Sequence, residues 1–522
     1  MRKRRQRLLR SGRAGLLTLA VGIAGNGYAQ DADAPKDEAA GQAEIKGKGD
    51  NYINVGGYQR GWAAMNLQDH PETGGGRGEL SMLRGSLQLN VDAGTGPLRW
   101  TAVGRADREA LTPYQRQLQD INRNGTSGGP GSSLLDQYNL ADLREFYVDF
   151  DLGEYSHFRI GKQQVVWGET DFFHLTDVLQ GFDYRWRSFL ERDNDELRKP
   201  LLMLNGKFDV PALDGMLQAV IRPGVDRKRD IGNTYDLYGG RWAMQPYKGV
   251  DFLAPGMLTT NYDHPAGNAN DVTGGVRWTG MAGSLNYSLS YLHTFKPDPV
   301  VNSAFAPWGS APRGQLGDFI YPRMNVFGAS VSGDIPGINT VVAAEVAYQK
   351  GVAYNVGTNF FGGQLPGFGG IVKKDVIVSS LRLDKQFRLM ELLGTSENTF
   401  ASLQIFDTWI RNYRRGDDMV YVVGFGKQAK EHTTVLTGLI TLNYMSSRLN
   451  PGLAVGVDLS NGDAFVIPSI EYKLGNHWRF VAEADLFFPK HQRQPGQVEM
   501  STGPLGGFAH NSQFMVRATY QF

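Results

Sequence analysis

Cysteine is absent from all 522 residues, which excludes a disulfide framework and thiol chemistry. A surplus of charge is missing too. Fifty-four Lys and Arg against 53 Asp and Glu leave a formal net charge of +1, and nothing points to nucleic acid. Beyond residue 30 no apolar run reaches the roughly eighteen residues that a membrane helix needs. The nine histidines are scattered, with neither an HExxH nor a paired-ligand spacing, so neither a metal nor a cofactor is expected. Ser156 and His157, as neighbours in sequence, would stand on opposite faces of a strand, which argues against a Ser–His hydrolase pair there. "GGGRG" (Gly74–Gly78) and "GGQLPGFGG" (Gly362–Gly370) do not link a strand to a helix and read as loop tips, not phosphate loops.

What is present suits strands. Glycine is abundant at 66 residues and aromatics make up 11 % of the chain, a composition for twisted strands and tight turns. A chain of this length holds two to four ordinary soluble domains, or one large barrel. Its start reads as an export signal over residues 1–29. A basic stretch with Arg2, Lys3, Arg4 and Arg5 precedes the apolar core Ala14–Ala24, and small residues allow cleavage after Ala29. That core is too short to span a bilayer. Arg4-Arg5 hints at twin-arginine export, a poor route for a membrane barrel because it carries prefolded proteins. Residues 30–50 are polar and expected to be a flexible leader.

From Asn51 to Phe522 segments of about ten residues alternate apolar and polar. In "LREFYVDFDLG", Phe146, Val148, Phe150 and Leu152 share one face and Glu145, Tyr147, Asp149 and Asp151 the other. "SLNYSLSYL" and "HWRFVAEADLF" behave alike, as does the terminal "NSQFMVRATYQF", where Phe514, Val516, Ala518, Tyr520 and Phe522 align. A soluble sandwich also alternates, but here aromatics cluster at the ends of the apolar faces, as membrane interfaces require. Connections alternate short and long. Short ones are expected at Gly94–Gly96, Gly153–Tyr155, Pro211–Leu213, Met281–Ala282, Asp334–Asn339, Met390–Glu397, Arg448–Asn450 and Gly475–His477. Long ones fall near 66–79, 108–142, 168–199, 224–270, 295–321, 351–374, 411–432 and 488–508, with 461–463 a short exception. The expected fold is an all-β transmembrane antiparallel barrel of eighteen strands, with sixteen the alternative, short periplasmic turns and long extracellular loops. The last strand should close the barrel beside the first.

Parity sets one hairpin to pair level. A three-residue turn Gly153-Glu154-Tyr155 sets Phe150 against Phe158, Asp149 against Arg159 and Asp151 against His157. A similar argument near Gly475 sets Tyr472 against Trp478 and Glu471 beside Arg479. The inward faces collect both signs. Arg84, Arg99, Arg105, Arg159, Arg277, Arg382 and Arg517 stand against Glu145, Asp149, Glu345, Asp384, Glu483 and Asp485. Such a lining requires a hydrated lumen or a dense ion-pair network. Loop 168–199 carries Leu179, Phe182, Trp186, Phe189 and Leu190 at helical spacing. That predicts a short amphipathic helix, either folded inward as a constriction or capping the mouth. Trp167, Glu169, Asp171, Asp183, Arg185 and Arg187 are the candidates for that constriction. "DRKRD" (Asp226–Asp230) is a mixed-charge loop that suits contact with lipopolysaccharide phosphates.

The run "LREFYVDFDLG…FRIGKQQVVWGETD…DVLQGFDYR" resembles the domain-of-unknown-function 1302 family of proteobacterial outer-membrane proteins. Gly161, Gln163, Gln164, Trp167, Gly168, Glu169 and Asp171 match its "IGxQQVVWGETD" core. Where that family continues with an Asn-Pro-x-Asp-like segment, this chain has Gln180-Gly181-Phe182-Asp183. The resemblance implies no catalytic residues. It implies movement of a hydrophobic or lipid-like substrate across the envelope, with a periplasmic carrier and an RND-type inner-membrane transporter as partners. The C-terminal Phe with an aromatic two residues before it resembles the signal read by barrel-assembly machinery. The function expected is a passage or exit port in the outer membrane, the cell location the signal peptide and barrel imply. The alternatives are a closed, loop-plugged barrel that receives substrate or serves as an assembly scaffold, and a lipid hydrolase.

Overall fold

A computed structural model describes residues 43–46 and 51–522, leaving aside 71, 125–133, 169, 171–172, 192–193, 237–239, 244–256, 307–311, 336, 359–365, 422–426 and 491–504. The expected signal peptide and most of the leader lie outside the described residues. Alternating segments become the staves of a closed wall of eighteen strands. Along the chain, β1 spans Tyr52–Asn66, β2 Leu80–Thr95, β3 Leu98–Glu109, β4 Leu140–Asp151, β5 Ser156–Gln163 and β6 Leu201–Val210. Next come β7 (Gly215–Arg222), β8 (Thr273–Ala282), β9 (Leu285–Phe295), β10 (Arg323–Ile335), β11 (Thr340–Val356) and β12 (Ile371–Phe387). The circuit ends with β13 (Thr399–Ile410), β14 (His432–Thr441), β15 (Leu449–Asp458), β16 (Ala464–Leu474), β17 (Trp478–Phe488) and β18 (Gln513–Gln521). Each is antiparallel to its neighbours. β18 closes the circuit on β1, from Gln521 opposite Tyr58 to Gln513 opposite Asn66. Phe522 and Gly57 exchange backbone bonds of 3.0 and 3.1 Å at that seam. A short strand, Ala43–Lys46, within the expected leader, pairs with Tyr52–Val55.

The outer wall is apolar. Leu87, Leu89, Phe146, Ile160, Leu204, Ile221, Leu289, Phe327, Leu403 and Val516 are exposed there, while their strand neighbours turn inward. So many large exposed apolar side chains on one continuous surface fit hydrocarbon, not water. Aromatic contacts band both rims. At the short-turn end Phe158 packs on Phe150 and Phe208 at 5.6 Å, and Trp478 on Tyr520 at 4.6 Å. At the other, Phe327 meets Tyr291 at 5.0 Å and Tyr348 at 6.3 Å. Such bands match the interface girdles of a transmembrane barrel.

The Gly153 hairpin has the expected register, with Phe150 opposite Phe158, Asp149 opposite Arg159 and Asp151 opposite His157. Near Gly475 the expectation fails by two residues. Tyr472 faces Phe480, Lys473 faces Arg479 and Leu474 faces Trp478. Both registers satisfy the inside–outside parity, and the tighter turn over Gly475–His477 brings two more residues of β16, Lys473 and Leu474, into the ladder. Other boundaries shift: the turn expected at Met281–Ala282 lies two residues later, and β11 and β12 run on into the loop expected at 351–374. In the long loops, α1 (Pro113–Asn124) starts on a reciprocal cap, Gln115 N–H to Thr112 Oγ1 at 3.2 Å and Thr112 N–H to Gln115 Oε1 at 3.1 Å. Three short strands, Leu258–Thr260, Val300–Ser303 and Gly317–Ile320, form a separate small sheet.

Candidate functional site

The segment after β5 turns into the barrel instead of away from it. Its root is built by the "GKQQVVWG" residues. Gly161 lies at φ +139 opposite Tyr147, where a Cβ would come within 2.2 Å of the Phe146 carbonyl oxygen. Gln163 donates to the Met203 carbonyl at 3.0 Å and Gln164 to Glu145 at 3.0 Å. Trp167 Nε1 donates to Gln218 at 2.9 Å, and Gln218 in turn donates to Asn205 at 3.0 Å. Gln180 straps both ends of the segment together. It accepts from Val165 N–H at 2.8 Å and donates to the carbonyls of Gln163 and Lys199, at 3.0 and 3.1 Å.

From this root the segment crosses to the far wall. Thr176 N–H donates to Glu345 on β11 at 2.9 Å, Gln349 donates to the Leu175 carbonyl at 3.3 Å, and Phe173 packs on Phe406 of β13 at 5.0 Å. The apolar residues spaced as for a helix form no such helix. The described part has only a 3-10 turn at Ser188–Leu190 and one helical turn at Asn194–Leu197. Leu179 joins a cluster with Trp167, Val220 and Phe295; Phe182 and Trp186 join Trp62 and Met82; Leu190 joins Trp242, Phe465 and Phe487. The spacing serves three patches of a surrounding tube, not one flat face, and the segment is an inward plug.

Charges lock the plug. Arg187 pairs with Glu191 at 3.0 Å and with Glu483, and lies 3.8 Å from Asp485. Glu196 accepts from Tyr58 at 3.0 Å, from Arg60 at 2.9 Å and from Arg105. Those cations outweigh the opposing effect of burial and hold its carboxyl far below the ordinary range. Arg198 binds Asp177 and Asp195, both at 2.6 Å. Arg144, turned inward by a bulge opposite Val103 and Gly104, donates to the carbonyls of Asp195, Glu196 and Arg198. Burial drives Asp183 up, but Arg185, at 2.6 and 2.8 Å, and Lys199 hold it at about 2. A second centre joins two further loops. Arg241 grips Glu109 at 2.6 and 2.7 Å, while Asp236 accepts from Tyr138 at 2.8 Å and from Trp242 N–H at 3.0 Å. Burial raises Asp236 to about 7, against the pull of Arg241.

Below the root the tube opens. A cavity of ≈ 1490 Å³ extends from a roof of Gln164, Val165 and Val166 to the turns at 152–155 and 211–214. Its walls carry Arg99, Asp149, Arg159, Arg277, Arg382 and Asp384. The short-turn end thus holds open space, and an ion-pair network fills the tube above it. Arg159 pairs with Asp149 at 2.6 Å, Arg382 with Asp384 at 2.7 Å, and Arg99 lies 3.7 Å from Asp151. Arg84 pairs with Asp107 at 3.0 Å and Glu109 at 3.1 Å, and Arg517 lies 3.8 Å from Glu191 and 4.9 Å over Trp62. Of the expected constriction residues, Trp167, Asp183, Arg185 and Arg187 belong to the plug; Glu169 and Asp171 lie outside the described residues. Arg144, Glu196, Arg241 and Asp236 were missed. Arg144 owes its direction to a bulge, and the others meet only through loops far apart in sequence.

A family model described as "Protein of unknown function (DUF1302)" matches residues 106–522. No curated protein matches the chain. Among solved structures, Salmonella typhi OmpF in complex with daunomycin aligns at 10 % identity and TM-score 0.43, covering 92 % of this chain and 100 % of that one. Acinetobacter baumannii OccAB2 aligns at 9 % and 0.44, covering 90 % and 98 %. Pseudomonas aeruginosa OccK1 aligns at 7 % and 0.41, also covering 90 % and 98 %.

Proposed function

The chain belongs to the DUF1302 family, and from that premise we propose that it is a gated passage through the outer membrane for a hydrophobic or lipid-like substrate. The short-turn end faces the periplasm in this reading, and the cavity beneath the plug is the vestibule that accepts cargo. A periplasmic carrier would load it, and an RND-type inner-membrane transporter would drive the supply. Lipopolysaccharide surrounds the long-loop rim, and the barrel-assembly machinery inserts the chain through its last strand. One observation carries the reading: a cavity of ≈ 1490 Å³ ends against a segment that is hydrogen-bonded, not covalently fused, to the opposite wall. Mixed-sign walls favour neither anion nor cation flux as a whole.

The test is single-channel recording in planar bilayers. Wild type should conduct little, and deletion of residues 172–192, which removes Thr176, Phe182, Trp186 and Arg187, should raise conductance several-fold. The filled upper half favours a second reading, a closed receptacle that hands cargo to the membrane or a partner. A silent deletion variant with an intact barrel would replace the passage by that receptacle.

A further inference from the structure

We infer that the vestibule wall holds a docking site for the oxyanion head of an amphiphile, centred on Arg277. The inference rests on the vestibule being where cargo enters and names the chemistry of that cargo. Arg277 lines the cavity from β8. Its cross-strand neighbours are neutral, Gln218 on β7 and Ser290 on β9. The next row toward the turns is neutral too, with Thr279 opposite Met216 on one side and Ser288 on the other.

Other cations of the cavity are matched. Arg159 has Asp149 and Arg382 has Asp384. His157 bridges Asp151 at 2.7 Å and Asp209 at 3.2 Å, Arg99 lies 3.7 Å from Asp151, and Lys207 also has a partner. Arg277 is different. Among the described residues it has no ion pair, and its Nε is buried without a hydrogen-bond partner. The adjacent amide cannot turn to it freely, because Gln218 already accepts from Trp167 and donates to Asn205.

A guanidinium presents a planar fork of donors that matches a carboxylate or phosphate. Set in the cavity wall without an acidic cross-strand partner, it selects an anion by charge and shape. The same cavity offers apolar surface from Val165, Val166, Met216, Val341 and Ala343. An oxyanion head with an alkyl tail satisfies both. The occupied head would lie one residue from the Trp167–Gln218 bond at the root of the plug, since Gln218 pairs directly with Arg277.

Calorimetric titration of the full barrel in nanodiscs tests this with octanoate, octyl phosphate and octanol, one tail with three heads. Octanoate or octyl phosphate should bind at least about tenfold more tightly than octanol, the scale of one charged hydrogen-bonded contact. The tighter of the two identifies the head as carboxylate or phosphate. Arg277→Gln should erase the preference over octanol, and Arg277→Lys should keep part of it. Heat-modifiable gel mobility reports that each variant is folded. Equal affinity for all three ligands, or an unchanged preference in Arg277→Gln, overturns the proposal. Because the readout is binding, anion preference in a barrel that never conducts would sink the passage and leave this site standing.

Discussion

Two single residues give sharp expectations. Gly161 sits at φ +139 with the Phe146 carbonyl where a methyl would go, so Gly161→Ala adds backbone strain to a clash. A loss of the order of 3 kcal/mol is expected, read as a lower temperature for the heat-modifiable gel transition. An unaltered transition would mean that β4 and β5 separate there at little cost. Asp236 is a matter of pH. Its folded pKa, about 7 against an ordinary 3.8, means the folded protein holds a proton that the unfolded chain has released between those values. That contribution is fully present below the unfolded pKa and is lost as pH rises through about 7. Asp236→Asn keeps an acceptor for Tyr138 but cannot ionise. Relative to wild type it should therefore gain stability from pH 5 to pH 8, in melts recorded side by side. A constant difference across that range would contradict the buried, proton-bearing carboxyl. Neither residue's role was open to sequence reading in full. Gly161 stands out as part of a motif, whereas Asp236 acquires its chemistry only when Tyr138 and Trp242, from two different stretches, close over it.

At the level of elements, strands were legible and the plug was legible only as an interruption. Strand faces follow from a period of two, and lipid outside punishes a slip by one residue, so the Gly153 hairpin could be placed pair by pair. A slip by two escapes that penalty, which is why the Gly475 hairpin was misplaced. For residues 168–199 the rule that served the strands has no counterpart. Apolar spacing of three and four implies a helix when one flat surface is the partner; inside a tube it serves walls on several sides. The plug's anchors are correspondingly ionic. Glu196 is one such anchor, shared by Tyr58, Arg60 and Arg105 on β1 and β3. Glu196→Gln leaves the buried Arg60 without its counter-charge and Arg105 with Asp107 alone, and removing one partner of a buried pair costs about 3–5 kcal/mol. We expect that cost to be met by release of the plug, not by collapse of the wall. Limited proteolysis should then cut within 168–199 at a rate raised at least about tenfold, with barrel mobility on gels intact. Glu154→Gln, on an exposed turn, is the control and should cut as wild type. Equal cleavage of all three would move the anchor elsewhere, with the Arg187–Glu483 pair the next to remove.

Across the whole molecule the decisive feature is closure. Each of the eighteen wall strands pairs on both sides, and the wall as a sheet has no edge, which is what lets backbone amides lie against hydrocarbon. The seam is made by nine residues, Gln513–Gln521, that bridge β17 and β1, with Phe522 tied to Gly57. It was visible in the sequence because the final strand alternates to its last residue. Removing residues 513–522 opens two edges at once. β1 could re-close on β17 only by changing the tilt and girth of the other seventeen strands, and the plug, sized to the present bore, would no longer reach Glu345 and Glu483 together. Truncation at Ser512 should therefore abolish the heat-modifiable form altogether instead of giving a narrower stable barrel. A milder change separates closure from the aromatic rim. Phe522→Ala removes one ring from the row with Tyr520 and Trp478 but leaves the backbone bonds to Gly57, so the purified chain should still refold in detergent with a modestly lower transition temperature. If the truncated chain instead forms a compact, protease-resistant barrel, the ends of this wall are interchangeable, and the tie between bore and plug that the gating reading depends on is broken.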